Sequence, residues 1–220
     1  MKTSYVIKPE IDVLGEYGLF YPSKALVTFY SSPFGFLENF FIYFTHKRAV
    51  MENKKIIAIS INEDLTELLD THMFLHKYNI EFLRLIQRGL IQPVLLADMT
   101  ELLNYLEEYN ENSSFIYILQ SDVNDLLSYV RQLRQTIKKL MHKWREQLLI
   151  TLFLDHILLQ KEEWLPIRYL SDVEFVINVQ EPLNSGEITI NRVKMGVKPG
   201  YKINFQVTND FISYQVQLKT

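Results

Sequence analysis

The chain contains no cysteine in 220 residues. Disulfides and thiolate metal ligands are therefore excluded, which fits a reducing cytoplasm, a hot habitat or chance. Long apolar runs are missing too. The longest, such as LLITLFL (148–154), fall far short of the roughly 20 residues a membrane helix needs. The opening MKTSYVIKPEID has no apolar core of signal-peptide length. The expectation is a soluble, cytoplasmic protein with no membrane partner. Surplus positive charge is also absent: 23 Lys and Arg face 26 Asp and Glu, for a net charge of −3. No overall field draws the chain to nucleic acid, although a local basic patch stays open. Neither a linker nor an internal repeat is visible.

What is present is a substantial apolar content, 48% hydrophobic against 22% charged residues, enough for a real core. ALVTFY (25–30) is strand-forming and follows a turn at Pro22 and Ser23. Helical spacing of Leu37, Phe40, Phe41 and Phe44 predicts a helix over 37–51. KIIAISI (55–61), SFIYIL (114–119) and LLITLFL are short apolar runs of buried-strand character. A weaker strand is expected at 93–96. Between these runs, helical spacing returns over 65–78, after a cap at Asp98 or Thr100, and in one long helix from about 121 to 145. Strands separated by helices of this length predict an α/β protein with a mostly parallel central sheet. After Trp164 the pattern changes to DVEFVINV, EITINRVKM, KINFQV and FISYQVQL, with turns at NSG, KPG and TND. Antiparallel strands extending the same sheet are expected there. The layout is one domain: a lead-in over 1–24, an α/β core over 25–160 and a β extension over 170–220.

The order of these elements resembles the RecA-like ATPase core, particularly its KaiC and RadA branches, over nearly the whole chain. LGEYGLFYPSKALVTFYSS looks like the family's phosphate-loop entry, and KKIIAISINED like the strand that ends near a catalytic glutamate. SFIYILQSD is similar to the strand ending in the magnesium-linked aspartate, and LLITLFLDH to the sensor strand. The hairpins in NRVKMGVKPGYKINFQVTNDFISYQV resemble the closing β-elements.

The residues that would carry the chemistry are replaced. A working phosphate loop reads G-x-x-x-x-G-K-[ST]. In FYSSPFGFLENFF (29–41), Gly35 can be the second glycine, but Tyr30 takes the first glycine position, Phe36 the lysine and Leu37 the hydroxyl. Ser31 and Ser32 lie inside the loop. Neither Phe36 nor Leu37 can reach a terminal phosphate or hold a metal. Gln120 stands where the metal-linked aspartate is expected, and Asn62 at or beside the glutamate, with Glu63 one residue on. Lysine and metal together stabilise such a transition state by on the order of several kcal/mol, so their loss predicts a pseudo-ATPase with no cofactor. On the bland alternative, the phenylalanines are core residues of an unrelated α/β protein and Gly35 allows a tight turn.

Arg131, Arg134, Lys138 and Lys139 on the long helix either contact a partner or nucleic acid, or form a solvated face opposite Leu133, Ile137 and Leu140. The resemblance implies that Lys194 reaches a nucleotide on a neighbouring subunit. It also implies ring or filament assembly, with 5–21 and the last strand as packing surfaces. His72 and His76, four apart, are a weak metal pair. Asp155–His156 lacks a matching serine nucleophile. Taken together, these features predict a non-catalytic RecA/KaiC-like scaffold or regulatory subunit, a homo-oligomer or a partner of an active relative, in settings such as DNA repair or Elongator-like RNA modification. An ATPase with a rearranged site and a nucleic-acid-binding accessory protein are the alternatives.

Overall fold

The computed structural model describes residues 6–16, 18–31, 37–71, 76–110, 113–120, 122–180, 185–194, 202–207 and 212–217. The apolar runs form strands β1 (Lys24–Ser31), β2 (Ile56–Ile61), β3 (Ile91–Leu96), β4 (Phe115–Gln120) and β5 (Leu148–Asp155). Every residue of β2, β4 and β5 is buried, as expected for parallel strands covered on both faces. The helices are α1 (Asp12–Glu16), α2 (Leu37–Glu52), α3 (Leu65–Thr71), α4 (His76–Gln87), α5 (Met99–Glu108), α6 (Val123–Ser128), α7 (Val130–Lys143) and α8 (Leu165–Leu170). Strands β6 (Val173–Gln180), β7 (Ser185–Val193), β8 (Lys202–Val207) and β9 (Ile212–Gln217) close the chain, and all nine strands form one sheet in the order β3-β2-β4-β5-β1-β6-β7-β8-β9.

The sheet is parallel from β3 through β6 and antiparallel from β6 through β9. The expected antiparallel extension therefore begins one strand later, at β7. After β5 the chain crosses the sheet through two 3-10 turns and α8, and a crossover of that length delivers β6 in the direction of β1. The single helix expected over 121–145 is two, interrupted at Tyr129, with Asp122 capping α6 through the amides of Asn124 and Asp125. Asp98, not Thr100, caps α5 by accepting from the Glu101 amide. β3 starts at Ile91 and includes Pro93. As an edge strand it tolerates a residue with no N–H.

Side-chain alternation divides the interior into two cores. On one face Phe29 stacks on Phe44, Phe153 and Phe175 at 4.9, 5.1 and 4.7 Å, and α2, α3 and α4 contribute Phe40, Phe41, Leu65 and Leu85. On the other, Tyr30, Ile118 and Leu152 pack beneath Leu102, Leu133, Ile137 and Ile167 of α5, α7 and α8. The low-glycine, aromatic-rich helix α2 is buried nearly all round, because it crosses β2, β3, β4 and β5.

The amino-terminal residues join the first core: Ile7, Ile11, Leu14, Leu19 and Tyr21 are all buried. These side chains pack into their own chain, while Val6 and Phe20 of the same segment are exposed. Glu10 anchors the segment. Arg48 on α2 donates to Glu10 Oε1 at 2.7 Å, to the Lys8 carbonyl at 2.8 Å and to Glu52 at 3.0 Å. Its Nε donates to Tyr117 at 3.1 Å, while the hydroxyls of Tyr117 and Tyr21 both donate to Glu10. Burial alone would push the Glu10 carboxyl up, but the Arg48 charge and the hydrogen bonds hold it below the usual range.

Candidate functional site

Parallel α/β sheets bind ligands beyond the carboxyl ends of their strands, where neighbouring connections leave toward opposite faces. The topology makes three such places, one of them where β2 leads to α3 on the first face and adjacent β3 to α5 on the second. From β1 the chain goes to α2 on the first face, while adjacent β5 leads to α8 on the second. From β2 it goes to α3 on the first face, while adjacent β4 leads to α7 on the second. Most of the residues singled out in the sequence lie along this edge. Ser31 ends β1 level with Asp155 of β5, and Gln120 ends β4 level with Leu154. Asn62 and Glu63 follow the last residue of β2.

The shared edge does not make a shared point. Ser31, Asp155 and Ser60 alternate with the second-core residues and so belong to the α2 side, whereas Gln120 falls with Ile118 on the α7 side. Two strand spacings, about 10 Å, separate β1 from β4. Tyr30 is fully buried, and its hydroxyl accepts from Trp164 Nε1 at 3.0 Å. Burial pushes that hydroxyl well above its ordinary range, so Tyr30 is a packing residue. Leu37 opens α2 and is buried in the first core. Ser32, Gly35 and Phe36 lie outside the described residues, as does His72.

Gln120 is held in place. Its Nε2 donates to the Asp122 carbonyl at 2.8 Å, and its buried Oε1 has no hydrogen-bond partner among the described residues. Asn62 is exposed in the left-handed region at φ 65°, and its amide continues the ladder to the Leu96 carbonyl at 2.9 Å. An asparagine accepts that conformation more readily than most residues, so Asn62 serves the turn out of β2. Glu63 is half-buried beside it.

Sequence reasoning named Ser31 at this edge but missed two other polar residues there, Ser60 and Glu38. The hydroxyls of Ser31 and Ser60 are buried without a partner among the described residues, and so is Glu38 Oε2 in the first turn of α2. Burial raises the Glu38 carboxyl above its ordinary value. The only signal for Ser60 was one hydroxyl inside IIAISI, and for Glu38 a single acid ahead of an aromatic run. Asp155 caps the following 3-10 turn through the Ile157 amide at 2.8 Å and meets His156 Nδ1 at 3.3 Å.

The remaining basic candidates lie elsewhere. Arg131, Arg134, Lys138 and Lys139 are exposed along α7, with Lys139 3.3 Å from Glu107. Lys194 Nζ donates to the Leu170 carbonyl and stands 3.4 Å from Asp172, next to β6. Among the described residues no group of three His, Asp or Glu side chains is placed to hold a metal, and no helix is long and apolar enough to cross a membrane. No protein-family model matches the chain, and no curated protein matches it.

Proposed function

We propose that the chain is a non-catalytic RecA-like protein that acts by assembly, as a scaffold or regulatory subunit built from copies of itself or paired with an active relative. The observation that carries this reading is Gln120. It ends the strand next to β5, in the middle of the carboxyl-end row, and its amide nitrogen donates to the Asp122 carbonyl, leaving only a neutral oxygen. A neutral amide bound in this way is a poor partner for magnesium, which takes carboxylates and water. Leu37, packed into the core where a metal-holding hydroxyl would stand, supports the same conclusion.

The sheet edges support assembly. At one end, β3 carries Pro93, a residue that protects an edge from pairing. At the other, β9 reads ISYQVQ, with neither proline nor charge. Such an edge accepts a further strand. Calorimetric titration with ATP and magnesium is expected to give no heat of binding, and micromolar affinity would overturn the non-catalytic reading in favour of a rearranged nucleotide site. Light scattering is expected to show an oligomer that Q215K/Q217K weakens. A monomer at all concentrations, with no relative bound, would remove the scaffold role.

A further inference from the structure

The exposed face of α7 is costly for the helix and unexplained by its packing. Its sequence, VRQLRQTIKKLMHK, contains five Lys and Arg and no acid, in a chain whose acids outnumber its bases. Arg131 sits in the first turn, against the helix dipole, and no side chain caps that end. Arg134 follows Arg131 by three residues and precedes Lys138 by four, spacings at which like charges repel. Lys139 is relieved by Glu107 and Lys143 donates to the Tyr109 carbonyl. Among the described residues, Arg131, Arg134 and Lys138 have no ion pair. The helix is held by Val130, Leu133, Ile137 and Leu140, all buried. None of these holding contacts comes from the cationic row.

We infer that this row binds the phosphate backbone of a nucleic acid, independently of what the carboxyl-end crevice does. Arg131, Arg134 and Lys138 span about 10 Å of helix rise, room for two or three phosphates along a strand. The face fits a nucleic acid better than other anionic partners. A membrane-surface helix needs a free apolar face, and that of α7 is buried. A protein interface is anchored by aromatic or aliphatic side chains, and no exposed large hydrophobic residue lies on α7. Glu162 and Glu163 line a groove with Arg131, so the strand approaches over Arg134 and Lys138. With no base-reading groups in the row, binding is independent of sequence.

The test is fluorescence anisotropy of the full chain with a labelled RNA single strand of about 20 nucleotides and the corresponding DNA duplex, between about 50 and 200 mM salt. The expected result is salt-dependent binding to one or both, the stronger identifying the natural form. R134Q/K138Q should weaken it about tenfold at the lower salt and flatten the log–log salt slope by about 1.4 for the single strand or about 1.8 for the duplex. R84Q/R88Q removes the same charge from α4 and the turn after it, on the opposite face of the sheet, and should leave binding nearly unchanged. Absence of binding at about 50 mM salt, or equal loss in both double variants, would overturn the assignment. Thermal melting of each variant confirms that the fold is intact.

Discussion

The two ends of the sheet treat buried polar groups in opposite ways. At the amino end, Glu10, Arg48, Tyr21 and Tyr117 are all buried and bonded to one another. At the carboxyl end, Ser31, Ser60 and Gln120 are equally buried, yet each leaves an oxygen without a partner among the described residues. A satisfied network rigidifies the structure, while an orphaned acceptor costs desolvation with nothing returned. The difference teaches that the amino end is where this fold secures its first core. The carboxyl end carries polar groups that folding alone does not require.

The largest expected effect comes from breaking the secured end. Arg48→Met should destabilise the protein by about 3–5 kcal/mol, because Glu10 is left as an uncompensated buried charge. Chemical denaturation measures it. Replacing both partners, E10L/R48M, should recover much of the loss, since a packed apolar pair avoids both desolvation penalties. A double variant as unstable as the single one would show that the network specifies the packing of 6–21 as well as compensating charge.

The pH dependence sharpens the same contrast. Glu10 has a folded pKa below its unfolded value of 4.5. Its contribution is therefore complete above that value and is lost as the pH falls toward the folded pKa. Tyr21 and Tyr117 have folded values raised, by burial first, above 10.0, so their contribution is lost as the pH rises past 10.0. In Arg48→Met the acid limb should reverse sign. Burial, the largest influence on Glu10, is then opposed only by hydrogen bonds such as that from Tyr117, and lowering the pH should stabilise the variant. Denaturation midpoints at acid and neutral pH test this.

At the other end, Glu38→Gln should raise the melting temperature at neutral pH, by less than the Arg48 effect. The Glu38 carboxyl is raised above 4.5 by burial, so ionisation penalises the folded state above the folded pKa, and the gain should vanish below 4.5. The smallest change is expected from Ser60→Ala, within about 1 kcal/mol of the parent and on the stabilising side, because it deletes an acceptor that has no partner. A loss well beyond that would mean that the Ser60 hydroxyl makes a bond that stabilises the fold.

Much of the architecture was legible because it rests on local pattern. Runs such as IIAISI and FIYILQ are too short and too apolar for anything but buried strands, and their alternation with helical spacing predicts parallel pairing. Gln120, Asn62 and Leu37 were candidates only through the resemblance to a RecA-like core, which sets motif residues at those positions. The α6–α7 break at Tyr129 was hidden, since Leu126, Val130, Leu133 and Ile137 keep helical spacing across it. The role of Arg48 was hidden as well. It occupies a helical position among apolar residues, and only a carboxylate 38 residues away makes its burial tolerable.

Periodicity and composition by themselves determined the identity of most elements, the mixed α/β class and the surplus of cations on α7. These depend on neighbouring residues, whose spacing is written in the chain. Tertiary structure decided the rest. It set the strand order, turned Tyr30 toward Trp164, divided Ser31 and Gln120 between two faces of one edge, and joined Glu10 to Arg48 beneath α2. Such relations depend on which distant segments meet, and that is settled by the packing of the whole sheet.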